Sequence, residues 1–208
     1  MKVKLISSMW NDYMSCQRAR VSYDNDKKEF SDEVNNKLLE RLIRDKHFWV
    51  LEWNSATFYI ECDLPTSTQI IRSRTWSYNF LSRRYRSDEN TPFEFINIEP
   101  RKQNKDRTFE IIKDSSIDEK MQEHYKKSVE LYNELLSKGL CKEQARYVIP
   151  QWTITKFYMT MNLRNWLHFL DLRLSEHSQK EVRDVAIGIE EWLKNLFPKT
   201  LEYYKSCK

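Results

Sequence analysis

Apolar positions recur at two different periods along this chain, and the change of period divides it. In SDEVNNKLLERLIRDK (31–46), Val34, Leu38 and Leu42 stand at i, i+4 and i+8, which predicts an amphipathic helix with Ser31 as its N-cap. SATFYIECDL (55–64) alternates instead, and its β-branched and aromatic residues predict a strand. VKLIS (3–7) alternates weakly and predicts a short strand. The polar stretch from Asp12 to Tyr23, with Met14, Ala19 and Val21, predicts a helix. Pro65 breaks the 55–64 strand, and Thr66 or Ser67 caps a helix reaching about Arg74. TPFEFINIEP (91–100) reads as a strand or extended arm, and RKQNKDR (101–107) as a charged loop.

The second half runs at helical period. SSIDEKMQEHYKKSVELYNELLSKG (115–139) carries Ile117, Met121, Tyr125, Val129, Tyr132 and Leu136, and Gly139 ends it at C′. CKEQARYVI (141–149) is a short helix stopped by Pro150. WTITKFYMTMNLRNWLHFLDLRL (152–174) is apolar on most faces and predicts a buried central helix. EVRDVAIGIEEWLKNLF (181–197) is amphipathic and stops at Pro198. A small mixed or antiparallel sheet packed with a mainly helical C-terminal half is an α+β fold, read as one domain over 1–208.

Composition narrows the chemistry. No apolar run approaches the roughly 20 residues that span a bilayer. MKVKLISSMW carries no signal-peptide pattern, so a cytoplasmic protein is expected. Cys16, Cys62, Cys141 and Cys207 lie far apart without ligand spacing, and they read as reduced thiols with no metal site. Glycine limits the fold most, with only Gly139 and Gly188 present. A glycine-rich phosphate cradle is therefore excluded. Any phosphate must be held by side chains, and arginine's planar fork suits that task.

The net charge is only +4, yet five arginines (72, 74, 83, 84 and 86) crowd RSRTWSYNFLSRRYR (72–86). Three readings fit this stretch: a basic helix face left in water, a nucleic-acid contact in which Trp76, Tyr78 and Tyr85 stack bases, or a pocket for a small nucleotide. Arg146, Arg164 and Arg173 tip the balance toward the last. They lie in or beside strongly apolar segments, where an unpaired guanidinium is costly, so buried anions are expected. An ion pair to Asp171 or Glu176 is the plainer reading of Arg173.

The same residues carry a resemblance. Arg72, Arg74 and Ser82 form R-x-R, seven residues, then serine, continuing as SRRY. This resembles the signature of the flavin-dependent thymidylate synthases, usually arginine-histidine-arginine, seven residues, serine. QARYVIP (144–150) and MNLRNWLHFLDLRLSEHSQKEVRDVA (161–186) are similar to that family's C-terminal half, and the likeness covers roughly residues 1–205. It implies an α+β homotetramer with active sites between subunits. The implied reaction is reductive methylation of dUMP to dTMP, with FAD as cofactor and NADPH and methylenetetrahydrofolate as co-substrates. The implied partners are the pyrimidine nucleotide and further copies of the chain, with no nucleic acid and no membrane.

Residue by residue, the resemblance implies flavin contacts for Ser55, Arg72, Ser73, Arg74, Asn162, Arg164 and His168. It places Gln69, Arg72, Ser82, Arg83, Arg84, Arg146 and Arg173 around the substrate. Arg84 and Arg146 are the candidates to hold the anionic nucleotide. Arg173 matches the arginine that favours ionisation of the pyrimidine N3, since a fixed cation there stabilises the anionic ring. Ser82 is expected to act as a hydrogen-bond donor, because no adjacent base activates it as a nucleophile. Departures from the pattern cluster here: Ser73 and Trp53 for histidines, Phe80 for a glutamate, Arg83 for a glycine and His168 for an asparagine. They leave UMP methylation, hydroxymethylation or a non-catalytic binding role as alternatives.

Overall fold

A computed structural model describes residues 1–73, 75–87, 89, 91–97, 99–104 and 109–207. Among the described residues six strands are formed: β1 (Lys2–Met9), β2 (Ser55–Asp63), β3 (Ser77–Phe80), β4 (Arg101–Gln103), β5 (Phe109–Ile111) and β6 (Ile154–Asn162). The helices are α1 (Asp12–Arg20), α2 (Asp32–Arg44), α3 (Leu64–Ile70), α4 (Ser115–Ser137), α5 (Lys142–Ala145), α6 (Leu163–Arg173), α7 (Lys180–Leu196) and α8 (Pro198–Ser206). Four strands make a sheet in the order β1-β2-β6-β3, and β4 pairs antiparallel with β5. The fold mixes α and β as expected. Among the described residues, no helix is long and apolar enough to cross a membrane.

The largest correction falls at 152–174. The expected central helix is a strand followed by a helix, β6 then α6. Thr155, Phe157, Met159 and Met161 are buried on one face of β6, a period of two. The other face, with Lys156, Tyr158, Thr160 and Asn162, is the more open one: Tyr158 packs on Tyr59 at 5.3 Å, and Thr160 meets Thr57 at 2.8 Å. Asn162 turns the chain, its side chain accepting from the Asn165 N–H at 2.9 Å as the N-cap of α6.

Smaller corrections have local causes. Asp63, not Thr66 or Ser67, caps α3, accepting from the Thr66 N–H at 2.8 Å and its hydroxyl at 2.7 Å. Pro65 therefore sits in the first turn, where a missing N–H costs nothing, and α3 ends at Ile70. Arg101–Gln103 is a strand where a charged loop is expected. Pro198 opens α8 as well as ending α7. On α2 the buried face is Asn35, Leu39, Leu42 and Ile43, one position round from the predicted stripe, and Val34 is exposed. Asn35 tolerates burial because its amide donates to the Phe30 carbonyl and its oxygen accepts from Arg20 at 2.7 Å.

The chain divides into two compact units: Met1, Glu61–Ile70 and Phe80–Lys156 form the first, and Lys2–Ile60, Ile71–Asn79 and Phe157–Lys208 the second. The first has a core of Phe93, Tyr132 and Ala145 beneath α4, which Gly139 terminates at φ +88. The second is centred on the fully buried Trp166, whose indole donates to the Ala56 carbonyl at 3.1 Å and meets Phe58 edge-on. Gly188 lets α7 approach β1, since a Cβ there would lie 3.2 Å from the Val3 side chain.

A buried carboxylate ties the ends of the second unit together. Asp12 is 5% exposed and accepts from the N–H groups of Lys199 and Thr200 and the Thr200 hydroxyl, at 2.8, 3.1 and 2.6 Å. These are orphan donors at the start of α8, where negative charge is favoured. Asp12→Asn keeps an acceptor but loses the charge. It should cost about 1–2 kcal/mol, read as a fall of roughly 2–8 °C in melting temperature. An unchanged melting curve would remove this role.

Candidate active site

The described residues of the 72–86 stretch do not form a helix face. Ser77–Phe80 is β3, and the Leu81 N–H donates to the Lys156 carbonyl at 2.8 Å, so the segment is laid along β6. In the first unit this makes the wall of a cavity of about 510 Å³. Ser82, Arg83 and Arg146 line it together with Phe80, Phe93 and Tyr147. Its remaining walls include Leu64, Ile149, Ile154 and Thr155, so it is largely apolar with few convergent polar groups.

Two arginines meet at Glu143. Its carboxylate lies 3.5 Å from the Arg84 Nε, and its backbone carbonyl accepts from the Arg146 Nε at 3.1 Å. The Arg84 side chain is about half exposed, so this ion pair is weakly held and easily exchanged for another anion. Ser82 Oγ accepts from the Arg84 N–H at 3.4 Å. Among the described residues lining the cavity, none is a carboxylate, imidazole or amine that would take the Ser82 proton. Gln69 sits half-buried on α3 and is not among the lining residues.

In the second unit, Arg72 and Arg173 are brought near one another. Burial pushes the Arg173 pKa down first, and the like charge of Arg72 pushes it further the same way. Asp171, a partner considered for Arg173, accepts from the Tyr204 hydroxyl at 2.5 Å. Ser73 Oγ and Trp76 Nε1 are buried without a hydrogen-bond partner, while the Trp76 ring packs on Phe169 at 5.8 Å. Arg74 lies outside the described residues.

The β2–β6 pairing gathers a second group. The Leu163 N–H donates to the Asn54 carbonyl at 2.7 Å, and Thr57 meets Thr160. One index rises as the other falls, so the pairing is antiparallel and sets Ser55 opposite Asn162. One turn on, Arg164 and His168 line a cavity of about 360 Å³ with Phe48, Asn165 and Tyr204. Arg164 does not fit the expectation of a buried cation. It is exposed and paired with Glu52, because it emerges at the first turn of α6, away from the helix's buried face. Trp53 is 61% exposed, and Arg18 lies over it at 4.8 Å and over Trp10 at 5.1 Å.

Two residues escaped the sequence reading, and a third, Trp76, was read only as a base-stacking ring. Tyr147 is 76% exposed yet lines the first cavity, and Glu143 joins the two arginines. Trp76 carries an unclaimed buried donor. Tyr147 adjoins Arg146 and Trp76 lies within the arginine stretch, so aromatic neighbours of the arginines were the available signal. Glu143 had none.

The family model for Thymidylate synthase complementing protein matches residues 4–199. A flavin-dependent thymidylate synthase of Pseudothermotoga lettingae is 33% identical over 97% of this chain and 89% of its own length. A probable flavin-dependent thymidylate synthase of Paramecium bursaria Chlorella virus 1 is 30% identical, over 86% and 84%. Among solved structures, the UMP/dUMP methylase PolB from Streptomyces cacaoi, bound with 5-Br dUMP, superposes with a TM-score of 0.89 at 28% identity, covering 99% of this chain and 94% of that one. Sequence and fold agree over almost the whole length, and the chain belongs to the flavin-dependent thymidylate synthase family of enzymes.

Proposed function

We propose that the protein is a cytoplasmic FAD-dependent methylase that converts dUMP to dTMP. Methylenetetrahydrofolate is the one-carbon donor, NADPH the reductant, and residues 1–208 act as one domain within a homotetramer. The cavity of the first unit carries this reading: its volume suits a small nucleotide, its apolar walls suit a pyrimidine ring, and Ser82 and Arg146 supply the polar contacts. Arg84 and Arg146 bind the phosphate, displacing the exposed Glu143 carboxylate from Arg84. Ser82 donates a hydrogen bond to the nucleotide, Arg83 belongs to the same set through the cavity wall, and Gln69 completes it. Arg72 and Arg173 repel one another, and in a tetramer with active sites between subunits those of a second copy would face the pyrimidine, whose anionic form relieves that repulsion.

The side chains of the second unit suit a flavin, since Ser73 and Trp76 hold buried donors that the protein itself does not use. Ser55, Arg72, Ser73, Arg74, Asn162, Arg164 and His168 would hold FAD, which when bound supplies the electrons that complete the methyl group. UMP is a second candidate substrate. PolB, similar to this chain throughout, is a UMP/dUMP methylase whose structure has been solved with 5-Br UMP as well as 5-Br dUMP.

The test is to reconstitute the protein with FAD, add NADPH and methylenetetrahydrofolate, and weigh the product from dUMP and from UMP. A gain of one methylene unit on dUMP is expected, and the same gain on UMP adds the second substrate. A hydroxymethyl mass changes the reaction. A colourless protein and unchanged nucleotides overturn the proposal, and light scattering of a flavin-bound monomer removes the tetramer from it.

A further inference from the structure

The Arg83 guanidinium is occupied by the protein's own backbone. Nη1 donates to the Thr91 carbonyl and Nη2 to the Pro92 carbonyl at 3.4 Å, while the cation lies 4.2 Å from the centroid of the Phe93 ring. Phe93 is 7% exposed, lines the cavity, and meets Tyr132 edge-on at 5.0 Å. Beyond it the chain is anchored to the start of β6: the Ile154 N–H donates to the Glu94 carbonyl at 2.7 Å, Phe95 bridges Thr153, and the Lys156 ammonium lies 3.3 Å from the Glu94 carboxylate. Before it, the Thr91 N–H donates to the Ser87 carbonyl at 3.0 Å.

From this geometry we infer that Arg83 is a positioning residue: its planar fork straps Thr91 and Pro92 and presses Phe93 into the wall of the substrate cavity. The inference deepens the proposed function and rests on it for the identity of the ligand. A guanidinium suits the role because it satisfies two carbonyls in one plane while offering its face to an aromatic ring. Glycine, the residue usual at this place in the signature, makes none of these contacts. Arg83 thus acts on the substrate through Phe93, whereas Arg84 and Arg146 act on its phosphate directly.

Arg83→Ala separates these roles. In the free protein, hydrogen exchange of the peptide covering 91–96 should quicken about ten-fold or more, the loss expected for a charge-assisted hydrogen bond, with α2 peptides unchanged. Affinity for dUMP and for deoxyuridine should fall by the same factor, because the wall holds the base and not the phosphate. Arg83→Lys, which keeps one donor to one carbonyl, should recover part of both effects. Unchanged exchange at 91–96 overturns the inference, and so does a loss confined to dUMP, which would mean a direct phosphate contact. If the wild type binds neither ligand, the proposed function fails while the exchange result still decides the strap. If Arg83→Ala loses its fold, seen as exchange quickening in α2 as well, the comparisons are made on Arg83→Lys.

Discussion

Arg173→Ala should lower turnover by about 10²–10³ while leaving the flavin absorbance in place. The reason is electrostatic. Arg173 is partly desolvated and lies in the field of Arg72, both of which depress its pKa, so two cations lie near each other. Two neighbouring cations favour a bound anion, and so the charged form of a ring whose N3 proton is leaving. Removing one cation eases the resting protein and withdraws stabilisation from the transition state. Arg173→Lys keeps the charge and should recover part of the rate, but not the planar contact. The measurement is single-turnover methylation beside an FAD titration. Equal loss of flavin affinity and of rate would count against the assignment.

Arg146→Ala and Arg84→Ala should each weaken dUMP binding by about one to two decades, as expected for one charge-assisted contact of roughly 1.5–3 kcal/mol. Neither should disturb the flavin spectrum. Arg164→Ala should do the reverse, loosening FAD and sparing dUMP, since Arg164 belongs to the group around the 360 Å³ cavity of the second unit. The Arg84 and Arg146 effects should not add, because both residues contact Glu143 and removing either one changes what it does to the other. Titrating each variant with FAD, dUMP and single-stranded DNA at two salt concentrations checks all of this. A response only to DNA, weakening with salt, would replace the enzyme by a nucleic-acid-binding protein.

Much of the fold was legible because one face of an element was wet. α2, α4 and α7 show helical periods against a polar face, and β2 alternates cleanly. β6 alternates too, with Phe157, Met159 and Met161 buried and Tyr158 about half exposed opposite, but it runs without a break into the apolar α6. A strand joined directly to an apolar helix, with Asn162 alone at the turn, reads as one long apolar segment. β4 and β5 were missed because three-residue strands carry too few positions to show any pattern.

The chain by itself determined that phosphate must be met by side chains, since two glycines cannot build a cradle, and its ordered arginine blocks pointed to the family. What each arginine touches was left to the tertiary structure. Arg164 and Arg146, alike in sequence beside apolar residues, part company once folded: the carboxylate of Glu52, 112 residues away, pairs with one, and the backbone carbonyl of Glu143 accepts from the other. Arg83 and Arg84 are adjacent, yet one is turned to the carbonyls of Thr91 and Pro92 and the other to the Glu143 carboxylate. A guanidinium's charge is a property of the residue. Its partner is a matter of distance, which falls off within a few ångströms and is set by residues far away in the chain.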